Sequence, residues 1–333
     1  IVAINASGGQ LSYTYSYSFN NGQYLSSPQA TSSFSSLPPG PYAFKVKDNL
    51  GCIALDTFEI VNPDSLYIDT TIFTDVNCYG ACDGAVQTII AYGGTLPYRY
   101  SVGNSPEYTH TVYFIDYCPG TYPIQVFDAN NCGAQDIIII NQPTELVVDI
   151  TTSLWNSYQV QCNGDSSGSA SLSITGGTAP YTIECITSAN VSIVNTVTNT
   201  GSNSINNLNA DTYTFVVTDA KGCVVSESII YNEPSAIVHN FIATHVSCEG
   251  WSNGALTDFI SGGVGTATSY SYTWNTGDNT YSLASIPVGT YTMTLVDDNA
   301  CVSVDSFVIN DANALNVNFT TTDVSCYDYC DGE

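Results

Sequence analysis

Apolar and polar residues alternate along most of this chain with a period of two. Thr292, Thr294 and Val296 fall on one side and Met293 and Leu295 on the other, the pattern of a strand with one buried face. Two runs, Tyr13-Thr14-Tyr15-Ser16-Tyr17 and Tyr270-Ser271-Tyr272-Thr273-Trp274, put aromatic rings at alternate positions. Each predicts a ladder on one face of a strand, turned to the core; turned outward, it would be a platform for sugar rings. No segment carries an amphipathic helical period. Turn residues recur at intervals of about 8 to 12 residues, so the chain reads as all-β, of the sandwich kind.

One phrase returns four times: Pro39-Gly40-Pro41-Tyr42, Pro119-Gly120-Thr121-Tyr122, Asp211-Thr212-Tyr213 and Val288-Gly289-Thr290-Tyr291. Each tyrosine opens a strand that ends at Asp48, Asp128, Asp219 or Asp297, and a cysteine follows after a turn, at Cys52, Cys132, Cys223 and Cys301. Upstream lies a double glycine (Gly8-Gly9, Gly93-Gly94, Gly176-Gly177, Gly262-Gly263), joined in two copies by Pro97-Tyr98 or Pro180-Tyr181. Downstream lies Cys-x-Gly, at Cys78, Cys162 and Cys248, with a variant at Cys326. Four units of about 80 residues follow, expected at 1–78, 79–162, 163–248 and 249–326, with 327–333 starting another. The tyrosine after a tight connection predicts a tyrosine corner at Tyr42, Tyr122, Tyr213 and Tyr291, as immunoglobulin- and fibronectin-like sandwiches use. The tandem array of four such β-sandwiches, joined by short proline linkers such as Asn141-Gln142-Pro143-Thr144, is expected to form an elongated rod on the order of 150 Å long. The recurrent aspartates are expected to cap turns.

Charge narrows the partners. Four lysines and arginines stand against 30 aspartates and glutamates, a net charge of −26, which repels nucleic acid and anionic lipid. No apolar run is long enough to span a bilayer, so direct membrane insertion is not expected. The opening Ile1-Val2-Ala3-Ile4 lacks the features of a signal peptide, and the chain reads as an internal fragment. It also closes in phase: Cys330-Asp331-Gly332 matches Cys82-Asp83-Gly84, and Ile1 matches Val86.

The succession Val76-Asn77-Cys78-Tyr79-Gly80-Ala81-Cys82-Asp83-Gly84, Gly93-Gly94-Thr95-Leu96-Pro97-Tyr98, Pro119-Gly120-Thr121-Tyr122 and Asp128-Ala129-Asn130-Asn131-Cys132 resembles the SprB repeat of giant gliding-motility adhesins in Bacteroidota. The third unit departs most, with an insertion around residues 188–204. The resemblance implies type IX secretion, placement at the cell surface outside the outer membrane, and work as a filament or adhesin that gives mechanical reach and attachment. The partners implied are further copies of the repeat in a parent chain and surface polysaccharide or a solid substratum.

Extracellular cysteines at recurring positions favour disulfides over zinc. Cys82 and Cys118 are present together in the second unit, and their equivalents are missing together in the third (Ser166, Asn209) and fourth (Ser252, Pro287), which argues for a bond between them. Two schemes remain for the others. One joins Cys78 to Cys132, Cys162 to Cys223 and Cys248 to Cys301 within units. The other, preferred because each segment reads as a hairpin, joins Cys52 to Cys78, Cys132 to Cys162, Cys223 to Cys248 and Cys301 to Cys326. Cys185 is expected to be a buried free thiol.

No catalytic motif appears, and no enzyme is expected. His239 and His245 are read as tolerated surface residues. No cofactor is expected; structural calcium is the rival, with Asp297-Asp298 and Asp83 as isolated hints. A carbohydrate-binding or hydrolytic module is the alternative function, the third unit being its candidate.

Overall fold

The computed structural model describes residues 1–20, 29–109, 113–311, 317–318 and 320–322, and every regular element among them is a strand. They group into two compact units, Ile1–Val76 with Gly80–Gln142, and Asn77–Tyr79 with Pro143–Glu333. Each unit contains two sandwiches with separate cores: in the first, cores around Phe44 and Val126; in the second, cores around Phe215 and Leu295.

The third repeat shows the architecture most fully. Val147–Thr152, Gly168–Thr175 and Ser202–Leu208 form one antiparallel sheet. Ser192–Thr198, Tyr181–Ile186, Asp211–Thr218 and Val224–Tyr231 form the other. Alternation is carried into space: Tyr213, Phe215 and Val217 of one sheet face Ala170, Leu172 and Ile174 of the other, all buried. Burial of each large apolar side chain contributes roughly 1.5–3 kcal/mol. The insertion noted in the sequence becomes the strand Ser192–Thr198, which extends the second sheet at its edge beside Tyr181–Ile186.

The second and fourth repeats have three strands in each sheet. These are Tyr67–Thr74, Gly84–Tyr92 and Phe114–Tyr117 against Arg99–Val102, Gly120–Phe127 and Gly133–Ile140 in one. In the other they are Val238–Thr244, Gly254–Ser261 and Ser282–Ile286 against Ser271–Trp274, Gly289–Val296 and Val302–Ile309. In the first repeat, Thr14–Phe19, Gly40–Lys47 and Ile53–Ile60 form a sheet and Val2–Ala3 pairs with Ser33–Phe34. The aromatic ladders point inward. Tyr15, Tyr272 and Trp274 are buried, Tyr17 packs against Phe34 and Tyr42, and Trp274 donates its Nε1–H to Thr280 O at 2.7 Å.

The expected boundaries after residues 78, 162 and 248 fall inside sandwiches. Tyr67–Thr74 pairs with Gly84–Tyr92, Val147–Thr152 with Gly168–Thr175, and Val238–Thr244 with Gly254–Ser261. The chain leaves one sandwich at the proline linker, and the strand after it pairs forward, because its apolar residues complete the next core: Leu66 and Ile68, Leu146 and Val148, Ile237 and Phe241.

Candidate functional site

The cysteine turns are built on the recurrent aspartates. Asp219 Oδ1 accepts the N–H groups of Lys221 (2.8 Å) and Cys223 (2.9 Å), and Oδ2 accepts that of Thr178 (2.8 Å), just after the double glycine. Asp297 does the same with Asn299, Cys301 and Val264, Asp128 with Asn130, Cys132 and Thr95, and Asp48 with Leu50, Cys52 and Gln10. One carboxylate thus holds the cysteine turn and the glycine loop as a single piece. Burial pushes the Asp128 carboxyl up, but the N–H groups of Cys132, Thr95 and Asn130 outweigh it and hold it below its ordinary value. The N–H groups of Gln10 and Cys52 do the same for Asp48. The turn-capping role was legible in the sequence; the second oxygen's reach to the glycine loop, some 30 to 40 residues upstream in each repeat, was not.

The double glycine receives the linker. Gly177 and Gly263 donate N–H to Thr144 O (3.0 Å) and Ser235 O (2.9 Å). At Gly176 (φ +70°) a Cβ would lie 1.8 Å from Glu145 O, and at Gly262 (φ +78°) 1.8 Å from Ala236 O, so only glycine lets the linker approach. A second set of tyrosines closes the loop: Tyr181 OH donates to Gly176 O at 2.7 Å, Tyr270 OH to Gly262 O at 2.9 Å, and Tyr13 and Tyr98 to Gly8 O and Gly93 O. The Pro-Tyr pairs flagged two of these tyrosines; their role was missed.

At the opposite end of the second, third and fourth sandwiches the Cys-x-Gly loop grips the departing strand. Gln159 and Val160 donate N–H to Asn232 O, both at 3.1 Å. Glu233 then accepts from Asn163 Nδ2 (2.8 Å) and Gly164 N–H (2.7 Å), so loop and linker are one rigid piece. Gln142 accepts from Gly80 N–H at 2.9 Å in the same way.

Linker and loop deliver the cysteine loop of the third repeat to the turn of the fourth. Cys162 bonds Cys301. Around the bond, Asn299 Nδ2 donates to Gln161 O (3.0 Å), Gln161 Nε2 to Asn299 O (2.7 Å), and Asn156 Nδ2 to Asn299 Oδ1 (2.6 Å). The equivalent bond is Cys78–Cys223, both cysteines belonging to the compact unit formed by Asn77–Tyr79 with Pro143–Glu333. Both sequence-derived schemes are therefore corrected. Cys162 does not bond Cys223, because loop and turn lie at opposite ends of one sandwich, separated by strands of about eight residues or roughly 25 Å. Cys132 does not bond Cys162, nor Cys223 Cys248, because the strand after each linker pairs forward rather than folding back as a hairpin. Cys52, Cys132 and Cys248 are exposed free thiols rather than members of a hairpin bond, Cys185 is a buried one, and Cys326 lies outside the described residues. Burial pushes the Cys185 thiol up to about 11.

Cys82 and Cys118 are bonded to each other. Tyr42, Tyr122, Tyr213 and Tyr291 each donate their hydroxyl to the carbonyl four residues upstream, at Pro38 (2.6 Å), Cys118 (2.9 Å), Asn209 (3.3 Å) and Pro287 (2.8 Å). These are corner bonds.

The histidine reading fails at His239. Its side chain and that of Asp258 are 3% and 0% exposed, Nδ1 meets Asp258 Oδ2, and Nε2 lies 3.1 Å from Ser303 Oγ. Asp258 Oδ1 also accepts Asn240 N–H at 2.9 Å. Aligned on the double glycine and the turn cysteine, the three occupy the positions of Val148, Leu172 and Val225, all packed into the core of the third repeat. A polar trio, with the His239 and Asp258 side chains buried and Ser303 partly so, has replaced an apolar one, in the fourth repeat and not the third. Among the described residues, no three His, Cys, Asp or Glu side chains gather as a metal site requires.

Residues 156–190 match the SprB repeat family, a span that carries Cys162-Asn163-Gly164, the double glycine and Pro180-Tyr181. Among solved structures, the chain is similar to the eight N-terminal Ig domains of Down Syndrome Cell Adhesion Molecule isoform 1.30.30, at 13% identity and TM-score 0.36 over 92% of this chain and 46% of that one. It is also similar to Sidekick-1 immunoglobulin domains 1–5, at 12% identity and TM-score 0.32 over 90% and 73%. The S-layer protein rSbsC matches at 13% identity and TM-score 0.24 over 93% and 51%. This chain thus spans about half the length of the first and third of these. No curated protein matches the sequence.

Proposed function

We propose that this chain, which carries an SprB repeat over residues 156–190, is a non-catalytic mechanical segment of an extracellular, repeat-built surface filament or adhesin. The observation that carries this is the placement of Cys78–Cys223 and Cys162–Cys301, which link one repeat to the next instead of bracing a single fold. A bond inside a sandwich stabilises that sandwich; a bond between sandwiches limits how far the chain extends when pulled. Disulfides also require an oxidising compartment, and the net charge of −26 suits a solvated surface polymer. Gliding-type motility, type IX export, placement outside the outer membrane, and attachment to polysaccharide or a solid substratum follow as the finer reading, on the SprB resemblance.

Single-molecule pulling tests it. The Cys78–Cys223 bond bypasses 145 residues, so the fully unfolded oxidised chain should extend about 500 Å less than the reduced chain at 3.3–3.6 Å per residue. Equal extension would refute the mechanical reading.

A hydrolytic reading is favoured by one observation, the Asp258–His239–Ser303 relay, whose contacts match those of an acyl-transfer triad. Its test is covalent labelling with a fluorophosphonate. Labelling at Ser303 that disappears in His239→Ala would support it, and an unlabelled Ser303 in the folded chain would reject it.

A further inference from the structure

Two series of cysteines run through the repeats. The loop series is Cys78, Cys162 and Cys248, with the variant Cys326 outside the described residues; the turn series is Cys52, Cys132, Cys223 and Cys301. Both observed bonds obey one rule, that a loop cysteine takes the turn cysteine of the repeat that follows it: Cys78 takes Cys223 and Cys162 takes Cys301. The rule gives Cys248, Cys52 and Cys132 no partner among the described residues, and these three are the exposed free thiols there.

Their surroundings match those of the bonded members. Cys52 and Cys132 each donate N–H to the turn aspartate at 2.8 Å, as Cys301 does. Cys248 O accepts Trp251 N–H at 3.1 Å, as Cys162 O accepts Asp165 N–H at 3.1 Å. Gly250 has φ +76° against +73° at Gly164 and +71° at Gly80, so the three loops share one backbone shape. What differs is cover. The bonded turn cysteines Cys223 and Cys301 are 9% and 7% exposed, whereas Cys52 and Cys132 are exposed. A turn held in bonding shape by an aspartate carboxylate, with its sulfur open, is half of a junction.

We propose that Cys248 is the bonding site for the turn cysteine of another repeat of this type, and that Cys52 and Cys132 are the bonding sites for loop cysteines of such repeats. Each thiol pair closes to one disulfide, and the electron pair and two protons pass to an oxidised thiol–disulfide exchanger, whose own disulfide becomes two thiols. Cys185, buried and with no counterpart in the other repeats, stays outside the rule.

The test fuses two copies of the full chain end to end. The match of Cys330-Asp331-Gly332 to Cys82-Asp83-Gly84 and of Ile1 to Val86 keeps the repeats in phase across the join. The second copy's Cys52 then stands to the first copy's Cys248 as Cys301 stands to Cys162. After oxidation, non-reducing peptide mapping should show that link, and a maleimide should label the second copy's Cys248 and the first copy's Cys52 but neither joined thiol. The Cys162–Cys301 peptide from each copy reports that the sandwiches have folded. With those peptides present, a first-copy Cys248 that alkylates in full, or that bonds any cysteine other than the second copy's Cys52, overturns the proposal. Replacing the first Cys248 by serine should restore labelling of the second copy's Cys52. The pulling experiment on the single chain does not depend on this outcome, so the two readings fail separately.

Discussion

Replacing both Cys82 and Cys118 by serine removes a bond that lies wholly inside the second repeat, where it joins the segment before Gly84–Tyr92 to the residue that receives the Tyr122 hydroxyl. The sequence separation is 36. In the chain-entropy account a loop of that length, left open in the unfolded state, costs about 4 kcal/mol of stability. That is a large part of the roughly 5–15 kcal/mol margin of a domain. Replacing Cys162 and Cys301 removes a bond of greater separation, 139 residues, yet its loop closes between two sandwiches with separate cores. Its entropy is gained only when both unfold together, so each repeat alone should lose less than about 1 kcal/mol. Native-state hydrogen exchange reads this repeat by repeat. In the first variant, amides of Gly120–Phe127 should lose about 4 kcal/mol of protection while those of Asp211–Thr218 and Gly289–Val296 hold. In the second, all three should hold to within about 1 kcal/mol. Loss of protection in Gly289–Val296 equal to that in the first variant's Gly120–Phe127 would show that the inter-repeat bond braces a fold, and the reasoning would fall.

Tyr291→Phe deletes the hydroxyl donor to Pro287 O and should lower the fourth repeat's stability by about 1 kcal/mol in urea unfolding; no change in midpoint would remove the corner bond from the account. Asp128 sits below its ordinary carboxylate value of 3.8 when folded, so its contribution is full above that value and is lost as pH falls through the depressed one. Thermal melts of the second repeat should decline below about pH 4, and Asp128→Asn should be less stable at neutral pH with a flatter acid limb. An unchanged acid limb would contradict the capping geometry. Iodoacetamide at pH 8.5 should modify Cys52, Cys132 and Cys248 rapidly and leave Cys185 untouched until the chain unfolds, since its thiol is buried and held near 11; early modification of Cys185 by mass spectrometry would refute its place in the core.

The all-β class, the fourfold repeat, the four tyrosine corners and the Cys82–Cys118 pair were legible because each rests on a local or internally repeated signal. Alternation fixes which residues face inward, and Tyr213, Phe215 and Val217 obey it. Recurrence at one offset identifies a residue that the fold needs, and joint absence from two repeats identifies a pair. Partnership across a sandwich carries no such mark. His239 and Asp258 lie on paired strands of one sheet and Ser303 on a strand of the other, and only the packing of the two sheets brings Ser303 within reach of the pair.

The pairing of the remaining cysteines turned on the direction of one strand. Cys132 and Cys162 flank two strands about a turn, which a hairpin would bring together, and nothing local separates that outcome from the observed one. The decision lies in the core: Leu146 and Val148 gain more by completing the apolar cluster of Ile174 and Phe215 than they would by lying back along Gly133–Ile140. Pairing forward moves each loop cysteine to the far end of its own sandwich. There the proline linker, tied to the loop through Glu233 and seated on Gly262-Gly263, presents it to the turn of the repeat that follows. The sequence by itself determined which cysteines recur and what holds each in shape. Which of them meet depended on where two sandwich ends come together, a long-range geometry that residue spacing does not encode.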